Sequence, residues 1–506
     1  MFRIEERTEK RERIYRYITY IRNMTYPDWV LKQKGKGTEI RKIGNNFYLY
    51  KVTSIWDKEK KRARKITERF LGTITQNGLI KPKKERLIES IGNVSVKEFG
   101  ASNFVLCMNE DIKERLKDTY PDKWKELLLF SIFRLLNNTP IKSLQTYYAT
   151  SFLSEALPGA HLSSKKVGNL LREIGIERER TKEFLKQFIS GNDFALIDLT
   201  HVFSLSGNVI SSVPGYNSKG EFLPQIHMIF LFSLDHHMPS YFRIVAGSIR
   251  DVSSLVLTVK EAGIKSAVLI SDKGFYSEAN VLELGKDRKT GLHYIIPLRR
   301  NSSLIDYTGI EQGNRKAFDG YFLFEKRAIW YYKYEIAEGN LKGKNITVFL
   351  DERLRAEEEK DYLSRIEKND TAMLDNFFEI QHRMGTIAVI TDLDKSGERI
   401  YNLLKSRVEI EIMFDAFKNV LNADKTYMRD DYQIEGWMFI NFIALVFYYR
   451  LYKILADNSL LKRYTPNDVL IHLSRIYKLK IQNEWITSEI PKKTRVILEK
   501  LNIPIT

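Results

Sequence analysis

Three acids in the 506-residue chain stand out by where they fall. Asp198 follows the short apolar run Phe194-Ala195-Leu196-Ile197. Asp272 follows Val268-Leu269-Ile270-Ser271 and precedes Lys273-Gly274-Phe275. Each is expected at the end of a buried strand, where a rigid sheet holds a carboxylate in fixed geometry and a glycine lets the chain turn. Glu411 is expected on a helix over 398–422, with Arg407 and Lys418 at R-x₃-E-x₆-K spacing. On a wheel of about 100° per residue the three fall within roughly 40° of one another, so one carboxylate is flanked by two cations. The opposite side of that helix carries Val408, Ile412 and Phe417, with Glu409 and Asp415 as competing acids. Each feature also has an ordinary reading: a turn residue for either aspartate, a surface i,i+4 ion pair for the helix.

Three carboxylates on separate elements suit two Mg²⁺ ions, which activate a water or a 3′-hydroxyl and stabilise the leaving oxygen of a phosphodiester. Nearby Arg and Lys would grip adjacent phosphates. Rival chemistries lack their motifs: there is no phosphate-binding glycine loop, no His-Glu-x-x-His run and no nucleophile elbow. Cys107 is the one cysteine, so no internal disulfide or zinc knuckle can form; beside Met108 it is expected to be packed. His236 and His237, adjacent on an expected strand, would point to opposite faces and make no metal pair.

The chain carries 81 Lys+Arg against 64 Asp+Glu, a formal charge of +17, which points to a polyanion such as nucleic acid. A solubility charge is the plain alternative. Hydrophobic residues at 43% are enough for large cores, excluding a disordered basic tail. The start is charged and lacks the apolar core of a signal peptide, and the apolar run Trp437–Tyr449 falls short of the roughly 18 residues of a membrane span. A soluble, intracellular protein without a membrane partner is expected.

Around these acids the pattern divides the chain. Residues 1–100 form a strand-containing region. Its alternating run at Tyr48–Thr53 and a second stretch, Ile66–Ile74, flank a basic loop with Lys58, Lys60, Lys61, Arg62, Arg64 and Lys65. Lys61 and Arg62 there are candidates for DNA-backbone contact, a solvated hairpin tip being the other reading. Residues 101–190 read as successive helices, either a DNA-binding region or a plain bundle; Thr139-Pro140 is expected to start one helix and Ser163 or Ser164 another. Residues 191–300 hold several strands and a helix near Val252–Ala262, the expected mixed α/β sheet. Residues 301–396 are a β-rich insertion, and 397–506 return to helices.

The acids and their neighbours resemble the DDE transposases of prokaryotic insertion sequences, in the branch with a Y-R-E-K signature and a β-strand insertion before the third acid. The matching text is Ala195–Thr200, Leu269–Phe275 and Arg407–Lys418, with Gly247 and Asp251 resembling the G-x₃-D stretch. Leu404 occupies the signature tyrosine position, so any role of that hydroxyl is absent here. The long interval between Asp272 and Glu411 fits an inserted domain. The resemblance implies an RNase H-like catalytic core and Asp198, Asp272 and Glu411 as catalytic and metal-binding acids. It implies two Mg²⁺ per site, Mn²⁺ able to substitute, with Arg407 and Lys418 on DNA. It also implies terminal inverted repeats and target DNA as partners, cut-and-paste transposition by a homodimer, and a cytoplasmic, nucleoid-associated location. Some relatives use a tryptophan in the insertion to hold a flipped base; Trp330 is the counterpart, a core role being the alternative. A domesticated DNA-binding protein and an RNase H-like nuclease that cuts without joining are the rival functions.

Overall fold

The computed structural model describes residues 26–86, 94–189, 194–204, 206–216, 222–247, 252–286, 291–313, 315–368, 374–481 and 483–501. The chain divides into two compact units, Met1–Val96 with Leu479–Ile486, and the remainder.

In the first unit an antiparallel sheet runs β1 (Thr38–Ile43), β2 (Asn46–Asp57), β3 (Arg62–Thr75) and β4 (Gly78–Ile80). Its small core joins Val30, Ile40, Leu49 and Ile74, with Trp29 and Phe47 packed edge to face. The basic loop expected between the two long strands is shorter than the sequence suggested. Arg62, Arg64 and Lys65 belong to β3, because its cross-strand bonds continue to the Asp57–Arg62 pair. The strand β5 (Ser95–Glu98) follows.

The second unit begins with helices. Trp124–Asn137 is buried over most of its length, with Leu127 to Ile132 all inaccessible. Thr139 does not start the next helix: its hydroxyl donates back to the Phe133 carbonyl, closing the end of the helix before it. Pro140 stands at the head of a 3₁₀ turn, Ile141–Ser143, that runs straight into helix Leu144–Thr150. Ser163 stands at the head of helix Ser164–Ile176 without a side-chain capping bond.

The mixed α/β sheet expected from residue 191 is present and larger than its pattern implied. β6 (Phe194–Ser204), β7 (Val213–Tyr216), β8 (Phe222–Ser233), β9 (Met238–Ala246), β10 (Ser266–Ile270) and β11 (Leu292–Pro297) join β12 (Gly320–Phe324), β13 (Arg327–Glu335), β14 (Asn345–Asp351), β15 (Thr386–Thr391) and β16 (Lys425–Thr426) in one eleven-stranded sheet. The centre is β9-β8-β6-β10-β11: β8 runs antiparallel to both of its neighbours, β6 and β9, and β6, β10 and β11 run parallel. Because β15 pairs with both β11 and β14, the strands of the insertion extend this sheet. β8 is buried from Gln225 to Ser233, as a strand covered on both faces must be. His236 and His237 lie in the turn after β8 rather than on a strand, with His237 at a φ of 53°.

One helix packs across this core over 27 residues, Asp431–Asp457, twice the length of the apolar run that marked it. By length and composition it could cross a bilayer, but 72% of its most apolar stretch is buried inside the protein. Its close crossing of helix Ser164–Ile176 depends on two glycines. A Cβ at Gly436 would stand 2.1 Å from the Leu171 carbonyl oxygen, and one at Gly175 would stand 2.0 Å from that of Tyr432. Cys107, expected to be packed, is exposed on helix Gly100–Met108.

Candidate active site

Asp198 lies inside β6, not at its end. The polar run after Ile197 stays extended because β8 pairs with it rung by rung, Asp198 opposite Phe230 and Phe203 opposite Gln225. What ends at Ile197 is the pairing with β10, whose last partnered residue is Leu269. Asp198 is therefore the first residue of β6 freed on that side, and β10 ends at Ile270, leaving Asp272 two residues beyond in the following loop. Both aspartates line one cleft of about 380 Å³ with Ser271, Arg407, His201, Tyr216, Gln225 and His227.

Glu411 rides on helix Gly397–Asp415, whose Ser396 hydroxyl accepts the Arg399 amide and sets its start. Arg407 bridges two of the three acids: its Nε stands 3.4 Å from Glu411 Oε1 and a terminal nitrogen 3.9 Å from Asp272 Oδ1. The competing acids face elsewhere. Burial raises the Tyr449 and Tyr452 phenols on the long helix and the nearby Glu409 adds to it, and Asp415 accepts a hydrogen bond from the Asn419 side-chain amide at 2.6 Å. Of the expected apolar side Phe417 is buried but Val408 and Ile412 are exposed, and the buried side of the helix is Leu403, Ile410 and Met413.

Lys418 does not share the α-helical wheel of Arg407 and Glu411. The α-helix gives way to a π turn at Ala416–Val420, where the Leu421 amide donates to the Ala416 carbonyl five residues back. That wider winding displaces Lys418 from the angle drawn by 100° steps. The turn is braced from the helical region. Arg134, 3% exposed, donates to the carbonyl of Leu421 and, at 3.0 Å, to Asn441 Oδ1, and stacks 4.5 Å from the Trp437 ring.

Burial pushes the Asp198 carboxyl up to about 6; the Leu199 amide at 2.8 Å and Arg407 oppose this, while Asp272 and Glu411 push it further. Two like charges act on Asp198, and one cation bridges them. This all-oxygen donor set is what a hard divalent cation takes. Among the described residues, however, no three His, Cys, Asp or Glu side chains stand close enough to hold a metal as they are.

Residues 193–447 match the transposase DDE domain family, just over half of the chain. The chain belongs to that family of transposases. No curated relative matches it. Among solved structures, a cryo-EM synaptic complex of piggyBac transposase with hairpin DNA is similar at a TM-score of 0.34 and 11% identity, over 69% of this chain and 70% of that one.

Of the remaining expected residues, Trp330 on β13 is half-buried between Phe318 and Tyr321, with the Arg315 guanidinium 5.9 Å above its ring. Lys61 and Arg62 are in the first unit, at the tip of the β2–β3 hairpin. Gly247 follows β9 in a turn where a Cβ would strike the Gln225 carbonyl oxygen at 2.0 Å, and Asp251 lies outside the described residues. Sequence reasoning passed over His201 and His227. They face each other across β6 and β8 in the cleft wall, and only the strand register reveals it.

Proposed function

We propose that this transposase cleaves the ends of a DNA element and joins the freed 3′-hydroxyl to target DNA, with Asp198, Asp272 and Glu411 as the catalytic acids. The observation that carries this is the convergence of the three: Asp198 and Asp272 line one cleft with Arg407, and Arg407 pairs with both Asp272 and Glu411. The order β9-β8-β6-β10-β11, three antiparallel strands then two parallel ones, supports an RNase H-like core around them.

The three carboxylates would hold Mg²⁺, which when bound activates the attacking oxygen and stabilises the leaving one. Arg407 would exchange its carboxylate partners for a phosphate of the DNA, since charge-assisted bonds to phosphate oxygens are strong. That exchange frees Glu411 when substrate arrives. Lys418, on the π turn beside the helix end, would hold a phosphate farther along the strand. Trp330, already half-wrapped by aromatic rings, offers a stacking face for an unpaired base. The basic excess of +17 serves to draw in duplex DNA. Two copies working together would bring both element ends to one place.

Incubating the protein with labelled element-end DNA, a target plasmid and Mg²⁺ separates the readings. Joined product supports the transposase reading, cut product alone supports a nuclease, and a bound complex alone supports a domesticated binding protein.

A further inference from the structure

The β2–β3 hairpin outgrows its own unit. Its base is tied to the small core, but every residue from Arg62 to Arg69 is exposed, as are Ser54, Ile55 and Trp56 on the facing strand. From the Thr53–Ile66 pair to the Asp57–Arg62 pair the two strands run on for about 13 Å before the turn. A bare ribbon of this kind is marginal in water, so its persistence calls for a partner. Asp57 Oδ1 accepts the amides of Glu59 and Lys60, and Lys61 takes a φ of 45°, which closes a compact turn.

Cross-strand partners share a face. One face of the ribbon carries Thr53, Ile55, Asp57, Arg62, Arg64 and Ile66, with the Asp57 carboxylate tied to the turn amides; the other carries Ser54, Trp56, Ala63 and Lys65. The second face is engaged near its base, where Lys65 pairs with Glu39 and Arg41 donates to the Thr67 hydroxyl. Among the described residues no ion pair engages Arg62, Arg64, Lys58, Lys60 or Lys61. Ile55 is 53% exposed beside the two arginines. Six cations against Asp57 and Glu59 between residues 53 and 66 make the tip strongly positive.

We propose that this arm enters the major groove of duplex DNA and reads sequence there. Arg62 and Arg64 reach base edges, Ile55 meets a thymine methyl, and Lys58, Lys60 and Lys61 lie against the flanking phosphates. The major groove, about 12 Å wide, admits a two-stranded ribbon, whereas the minor groove at about 6 Å does not. Arginine is the side chain that binds guanine O6 and N7 through two bonds, and lysines on phosphate add affinity without sequence. This rests on the reading of the protein as one that acts on DNA.

The test uses the full chain and two probes: a 30-base-pair duplex enriched from a random pool by the wild-type protein, and a random-sequence duplex. Arg62→Ala and Arg64→Ala should each cost roughly 5- to 150-fold on the enriched duplex and little on the random one, narrowing discrimination. Replacing Lys58, Lys60 and Lys61 with alanine should weaken both probes alike and flatten the log–log salt slope by up to about 3. Thermal melting of each variant, expected unchanged, separates these effects from misfolding. If wild type binds and discriminates but all variants match it, the arm is not the reader and the proposal falls. If wild type binds neither duplex, the DNA reading falls first. A change in self-association with unaltered DNA affinity would make the arm a contact between copies and would also overturn the proposal.

Discussion

Replacing Asp198 with asparagine should stabilise the metal-free protein while ending its chemistry. The folded carboxyl titrates at about 6 against 3.8 for an ordinary aspartate, because it is buried beside two other acids. At about 1.36 kcal/mol per pKa unit, that difference destabilises the ionised protein by roughly 3 kcal/mol. The sign follows from proton binding. The folded state holds this proton more tightly than the unfolded chain, so its contribution to stability is full below about pH 4 and is lost as pH rises through 6. Asparagine cannot ionise and escapes the loss, and its side-chain oxygen can still accept the Leu199 amide. Paired thermal melts of wild type and D198N in chelator, from pH 5 to 8, should therefore show the variant's advantage growing with pH. Added Mg²⁺ should then raise the wild-type melting temperature and leave the variant nearly unmoved, since a ligand stabilises only the state that binds it. An advantage that is absent, or flat across this pH range, would refute the placement of Asp198 as a charge strained by its neighbours.

Arg407→Met should remove the cation that links Asp272 and Glu411. Without DNA the variant should bind Mg²⁺ roughly fivefold more tightly, the equivalent of about 1 kcal/mol for partly exposed groups, by calorimetry; its end cleavage should nonetheless fall. Arg178 bridges Glu261 and Glu435 at 3.0 and 3.1 Å, so Arg178→Met should destabilise by about 3–5 kcal/mol near neutral pH. That deficit should shrink on acidification, because burial raises the Glu435 carboxyl and it takes up a proton first; denaturant melts at pH 5 and 7.5 would register the difference. Gly436→Ala should force the long helix away from Leu171 and cost about 1–3 kcal/mol, read as a lower melting temperature with cleavage retained at low temperature.

Periodicity carried much of the fold. Helix Val252–Ala262 has the boundaries its apolar pattern predicts, and the apolar run ahead of Asp272 is a buried strand ending at Ile270. The pattern failed where a partner overrides local character. Asp198-Leu199-Thr200-His201 reads as a turn, yet β8 keeps it extended. The long helix exceeds its apolar run because both its ends are amphipathic. The π turn at Ala416–Val420 leaves no mark in composition, and a wheel that assumes uniform winding carries Lys418 past its true angle. The site was legible in part for the same reason. Residue type and spacing single out the acids, and Glu411 is separated from Glu409 and Asp415 by which helix each one faces. The His201–His227 pair depends on strand register, which no local pattern contains.

The most direct test of the central claim is a strand-transfer assay with labelled element-end DNA and Mg²⁺, comparing wild type with D198N, D272N and E411Q while end binding is measured alongside. Wild type should give joined product, and each variant a bound complex with neither cleavage nor joining. Joined product from any one of the three variants would contradict the assignment of that acid, and joining by all three would remove the active site from this cleft.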